Sequence, residues 1–400
     1  SIASRRVVSI SLGSARRDYQ LTTSVLQNPT EVLTQKAQQA LASLATTRDI
    51  VHVVDGDDLD AGNATATAAS GKLTWRFHAD NVRDAAVSAG RTYRWDAATA
   101  TVKDKNGPGK DGSCEIHAVY EKNSGDWVRA VEYARHTIEF MSAHVYPYQW
   151  PHMTACEGII GGGMEYPMMT ICGGKQPAGV IAHELTHMWF PMLLGSNEKR
   201  YAWQDEGFTS FWTTLCRDDF LERSNGPARD VLAYTNTVAR GDDAACMRHA
   251  DGYVDDNFTF AAYGKPAAIL HQLRGLLGDE VFFSAFRRYT ADWAFKHPSP
   301  YDFFAAMSDA AGQDLRAYFR TWFFETWKLD HAIGSVESKG EDTTVVVEDR
   351  ARAMHRTVVE VTFADGSKVR QTVPVEHWQT HRRASLTFRG RATKVQLDPD

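Results

Sequence analysis

The sequence is short of cysteine, of excess charge and of long apolar runs. Its five cysteines, Cys114, Cys156, Cys172, Cys216 and Cys246, include no CxxC pair, which argues against a cysteine zinc site. Cys156 and Cys172 flank a glycine-rich stretch; they can be bridged in an oxidising compartment or stay as buried free thiols. No apolar run reaches the ~18 residues of a membrane-spanning helix, so no transmembrane segment is predicted. A net charge of −6, from 44 basic and 50 acidic residues, gives no basic stripe and no case for nucleic acid. The chain begins at Ser1 rather than Met, so its compartment is not read from this sequence. With 43% hydrophobic and 24% charged residues over 400 positions, the chain can build two or three soluble globular cores.

One stretch carries chemistry. His183-Glu184-Leu185-Thr186-His187 is followed by Glu206 within Trp203-Gln204-Asp205-Glu206-Gly207-Phe208. Histidines at i and i+4 lie on one helix face, where their imidazoles can converge on one ion. Glu184 follows His183 directly and points about 100° around the helix. It therefore sits beside the metal, where it can take a proton from an activated water. A catalytic zinc wants three protein ligands and an open position; Glu206, on a following helix from Asp205 to Phe220, is the natural third. The competing reading of the same residues is an amphipathic helix with two surface or core histidines.

Periodicity supplies the frame. Leu73–Phe77 alternates as a half-buried strand, and strands are expected near 92–95 and 114–120. Pro29 to Leu44 reads as a helix, 49–54 as a strand and 56–72 as a loop. Trp127, Val131, Ala134, Ile138, Met141 and Val145 form one apolar helix face, which Pro147 ends. Gly158–Thr170 reads as an edge strand, though its glycine run taken alone also suits a flexible loop. A metal helix is expected over 178–194, mostly helical polar sequence over 226–260, and helices over 261–277, 281–293 and 301–327. Their aromatic residues read as core. From residue 331 the period becomes two, with strands at 343–348, 357–363, 368–375, 384–388 and 393–397 and a hairpin turn at Ala364-Asp365-Gly366-Ser367.

Gly161-Gly162-Gly163-Met164-Glu165-Tyr166 resembles the Gly-x-Met-Glu-Asn signature of the aminopeptidase N family of zinc peptidases, the gluzincins. The HExxH-x18-E spacing is that family's, and Phe260–Pro266 resembles its catalytic tyrosine segment. Trp293–Pro298 and Asp302–Phe304 resemble bacterial members. The resemblance extends from about residue 72 to residue 400.

It implies a multi-domain α+β protein. A shortened amino-terminal β-rich domain (1–120) and a small β-sandwich (331–400) would flank a thermolysin-like, mainly helical catalytic domain (121–330), without the large carboxy-terminal helical domain many members carry. It implies one Zn2+ per chain on His183, His187 and Glu206, Glu184 as base and Tyr263 as oxyanion donor. Gly162, Gly163, Met164 and Glu165 would bind substrate, with Glu165 holding the cationic amino terminus of a peptide.

Three features depart from the family pattern: Tyr166 stands for the signature Asn, Gly264-Lys265-Pro266 follows Tyr263, and no polar partner for Glu165 is identifiable in the amino-terminal region. The expected activity is removal of single residues from peptide amino termini. The alternatives are a zinc endopeptidase on the same scaffold and a non-catalytic peptide-binding relic; the sequence leaves the oligomeric state open.

Overall fold

The computed structural model describes residues 7–15, 19–22, 24–253 and 257–399. Parts of the expected 1–120 domain (1–6, 16–18 and 23), of the expected 226–260 helical stretch (254–256), and residue 400 lie outside the described residues. Lys72–Asp80 is the middle strand of a small antiparallel sheet, between Val7–Ala15 and Val25–Leu26. Its alternation behaves as the sequence suggested: Leu73, Trp75, Phe77 and Ala79 are buried, while the residues between them face outward.

The sheet that positions the site has six strands, in the order Gly163–Tyr166, Met169–Cys172, His152–Glu157, Gly112–Glu121, Tyr93–Val102 and Val51–Val54. Residue 120, the expected edge of the first domain, lies inside Gly112–Glu121, which runs parallel to His152–Glu157. One sheet thus takes strands from both sides of that boundary. Period two identifies a strand but not its partner. The sheet forms a middle layer. Trp95, Ala97, Val119, Cys156 and Met169 face an amino-terminal core. Ile116, Ala118, Met153, Ala155 and Cys172 face the main core, where Ala130–His144 and Ala178–Thr186 pack.

Helix Ala130–His144 is led in by a 3-10 turn, Gly125–Arg129. All six residues of its predicted apolar face are buried, the larger side chains each contributing on the order of 2 kcal/mol. The amino-terminal helix is broken: Leu33 is extended, and Thr34 caps a second helix, Gln35–Ser43, by accepting from the Ala37 amide. The expected loop at 56–72 opens instead with a helix, Gly56–Ala61. Asp55 accepts from the amides of Asp57 and Asp58, the Asp58 carboxylate takes the Asp55 amide, and Gly62 at φ 67° ends the helix. An aspartate-rich run that reads as turn is here a reciprocal cap. The 301–327 stretch divides into Pro300–Ala311, stopped by Gly312 at φ 61°, and helical turns over 316–324.

Beyond residue 330 two three-stranded antiparallel sheets enclose Val345, Val347, Val359, Val361, Val373 and Phe388. A strand the sequence reading missed, His331–Lys339, edges the first sheet. The turn between Thr357–Phe363 and Lys368–Val373 holds Gly366 at φ 83°. No helix among the described residues is long and apolar enough to cross a membrane.

Candidate metal centre

His183 and His187 occupy the end of helix Ala178–Thr186, one turn apart, with ring centroids 4.8 Å from each other. The regular helix stops there, short of the expected Leu194: Phe190 leaves helical geometry (φ −134°, ψ 98°) just before Pro191. Glu206 comes from a wide turn, Trp203–Gly207, that leads into Phe208–Phe220. Its Oε2 lies 3.1 Å from His183 Nε2 and 3.3 Å from His187 Nε2. Donors about 2.0–2.1 Å from a tetrahedral zinc stand about 3.3 Å from each other, so this spacing fits zinc. The donor set, two imidazoles and one carboxylate, leaves a fourth position open. Burial works to raise the Glu206 carboxyl, but bonds to His183 and His187 hold it well below the usual range. Burial lowers His183, which favours the neutral ring a metal needs.

His187 is oriented from behind. Its Nδ1 is 2.7 Å from the Phe190 carbonyl, 2.9 Å from Asp205 Oδ1 and 3.2 Å from the Thr209 hydroxyl. A single Nδ1–H serves one acceptor squarely. We assign it to the Phe190 carbonyl, the shortest contact, which also accepts from Thr209 at 3.1 Å. Asp205 stands beside that bond, its carboxyl raised to about 8 by burial against the pull of His187. Nε2 is left free to face the centre, since a metal-bound histidine donates its other ring N–H to a carbonyl or carboxylate that fixes the ring.

Glu184 is 5% exposed, and burial pushes its carboxyl up to about 8. It lies over Gly163: a Cβ there would come 2.3 Å from Glu184 Oε1 and 2.5 Å from Cδ. The strand reaches this helix so closely only because residue 163 has no side chain. Glu165, two residues on and therefore on the same face, is 8% exposed, and burial raises its carboxyl too. Tyr263 donates to Glu206 Oε1 at 2.6 Å, and its ring stacks on His183 at 5.9 Å and 16°. Burial, then the Glu206 charge, raise the phenol and keep it protonated.

The expected strand over Gly158–Thr170 is narrower than its sequence suggested. Gly163–Tyr166 pairs with Met169–Cys172 alone, across a turn in which Met168 has φ 60°. Gly162 lies just outside, at φ 86°, and its carbonyl accepts from the Gly173 amide at 2.7 Å. By antiparallel alternation the Met164 and Tyr166 amides turn inward, and the backbone groups of Gly163 and Glu165 face the free edge. Met164 projects to the opposite face and is 37% exposed. Cys156 pairs with Ile171 in the parallel register, so Cys172 points to the other side of the sheet. All five cysteines are free and buried, which settles the two thiols as unbridged.

The structure thus brings His183, His187, Glu206, Glu184, Gly163, Glu165 and Tyr263 together, with Gly162 and Met164 at the margin. Sequence reasoning missed Asp205 and Thr209, although Asp205 adjoins Glu206 in the chain. It also missed Lys265, buried two residues after Tyr263.

A profile for the peptidase family M1 domain matches residues 129–322. Aminopeptidase M1-A of Oryza sativa subsp. japonica is 26% identical over 159 residues, 37% of this chain and 17% of that protein. Membrane alanyl aminopeptidase of Manduca sexta is 30% identical over 183 residues, 40% of this chain and 18% of that protein. The chain thus spans less than a fifth of the length of either relative. The fold resembles aminopeptidase A of Legionella pneumophila, solved with aspartic acid (TM-score 0.63, 15% identity, covering 98% of this chain and 43% of that one). It also resembles an M1 zinc metallopeptidase from Deinococcus radiodurans, solved as a mutant (TM-score 0.56, 12% identity, covering 80% and 64%). Residues 129–322, just under half of the chain, thus match the peptidase family M1 domain, and the relatives and solved structures alike support the aminopeptidase N family.

Proposed function

We propose that the chain is a zinc-dependent aminopeptidase that removes single residues from peptide amino termini. The observation that carries this reading is a buried carboxylate, Glu165, on the edge strand Gly163–Tyr166, with an oxygen within 4.8 Å of His187, which itself converges with His183 and Glu206. Those donors would hold one Zn2+ per chain, and the metal when bound supplies a Lewis acid that lowers the pKa of water and polarises a carbonyl. Glu184 accepts the proton of the attacking water and passes it to the leaving amine, a role favoured by a carboxyl titrating near neutrality. Tyr263, held protonated, turns its single O–H from Glu206 Oε1 to donate to the oxyanion of the tetrahedral intermediate. Gly163 and Glu165 offer edge backbone groups to an extended substrate. The Glu165 carboxylate takes the substrate's ammonium, which fixes the scissile bond one residue in.

In this account residues 121–330 form a thermolysin-like catalytic unit between β-rich units at 1–120 and 331–400, with one wall of the first supplied by the shared sheet. The test is a panel of aminoacyl-fluorophore amides given to zinc-loaded chain, with and without chelator. Chelator-sensitive release from free-amine substrates, absent on blocked ones, is expected. Cleavage of blocked and free substrates alike would replace the reading with an endopeptidase.

A further inference from the structure

Lys265 carries a basic side chain with 1% exposure, and it begins the regular helix Lys265–Leu277. A buried ammonium is costly unless fully paired. The fold meets that cost completely. Lys265 Nζ donates to Asp243 Oδ1 at 2.8 Å, to the Ala244 carbonyl at 2.9 Å and to the Glu325 carbonyl at 3.1 Å. Three acceptors match the three donors of an ammonium. They tie the start of this helix to the loop after Gly226–Arg240 and to the end of the 320–324 turn.

Only Gly264 separates Lys265 from Tyr263. The wide turn Phe260–Gly264 runs straight into the helix, the Lys265 amide bonding back to the Phe260 carbonyl. Opposite, Gly207 meets Pro266 so closely that a Cβ on Gly207 would come 2.6 Å from the proline ring. The segment carrying Tyr263 is therefore pressed against the Glu206 turn on one side and anchored through Lys265 on the other. The Tyr263–Glu206 contact of 2.6 Å tolerates little drift.

We propose that Lys265 is a positioning residue for Tyr263: its ammonium, anchored by Asp243 and two carbonyls, holds the phenol hydroxyl at the metal-facing carboxylate. This rests on the reading of Tyr263 as the oxyanion donor. A misplacement of about 1 Å costs on the order of 10²-fold in rate, so loss of the anchor lowers kcat and leaves KM nearly unchanged.

The test is a double-mutant cycle in the zinc-loaded full chain, with amide exchange of residues 260–264 followed by mass spectrometry in metal-free and loaded protein. Lys265→Met is expected to lower kcat about tenfold or more, and to add less than about twofold once Tyr263→Phe is present. Exchange over 260–264 accelerates in Lys265→Met. It does not in the control Arg274→Ala, which breaks the pair between Arg274 of the same helix and Asp279 of the next. An undiminished kcat penalty in the Tyr263→Phe background, or unchanged exchange, overturns the assignment. If Lys265→Met does not fold, Asp243→Asn removes the counter-charge, keeps both carbonyl acceptors and carries the same cycle. Wild-type chain lacking chelator-sensitive activity would instead overturn the proposed function, and the exchange data would still decide whether Lys265 holds the segment.

Discussion

Gly163→Ala isolates the closest approach in the site. Gly163 is not among the residues with left-handed backbone, so alanine meets no conformational strain there. Its Cβ, however, falls 2.3 Å from Glu184 Oε1 and 2.5 Å from both Cδ and Cγ. Favourable contact begins near 3.5 Å, so the Glu184 carboxylate has to retreat by about 1 Å. Glu184 is 5% exposed and has little free space to move into. Overpacking of this kind costs about 1–3 kcal/mol in stability. A general base displaced by about 1 Å loses on the order of 10²-fold in rate, or about 2.7 kcal/mol of activation free energy. The assay is kcat/KM on a free-amine fluorogenic amide, with zinc content and thermal midpoint measured on the same sample. Gly161→Ala is the control, since a Cβ there meets nothing within 4 Å. A zinc-loaded, folded Gly163→Ala enzyme with wild-type kcat/KM would refute the placement of Glu184 as base.

Asp205→Asn keeps the shape of the His187 support but replaces its carboxyl with an amide, and zinc affinity falls about 10–100-fold, measured by competition with a chromophoric chelator. Glu165→Gln weakens the charge-assisted contact to the substrate amine by about 1.5–3 kcal/mol, about 10–100-fold in kcat/KM on free-amine substrates, and narrows the gap to blocked ones. The metal-free chain has a characteristic pH dependence. Glu184 titrates at about 8 when folded against an ordinary 4.5, so the folded state binds that proton more tightly. Its stabilising contribution is full below about pH 4.5 and is lost as pH rises through about 8. The melting temperature of metal-free protein therefore falls between these values, and Glu184→Gln flattens the slope.

The parts of the molecule that local geometry dictates were legible in the sequence. The i, i+4 histidines, the six-residue apolar face from Trp127 to Val145 and the alternation of Leu73–Phe77 depend only on helical or strand period. Long-range partners were not legible. Nothing in residues 112–121 says that they pair with 152–157 across residue 120. Lys265 finds Asp243 and the Glu325 carbonyl from distant parts of the chain. Asp205 carries no signal of its own beyond its place beside Glu206. The helix at Gly56–Ala61 was hidden by composition, because aspartates that favour turns are also the residues that cap helices.

The central claim is that Glu165 and the neighbouring centre confine cleavage to the first peptide bond. Zinc-loaded chain incubated with a mixed-sequence decapeptide, sampled over time by mass spectrometry, tests this directly. The account predicts a ladder of products shortened one residue at a time from the amino terminus, absent for the amino-acetylated peptide and for Glu184→Gln. Internal fragments from both the free and the acetylated peptide would contradict it.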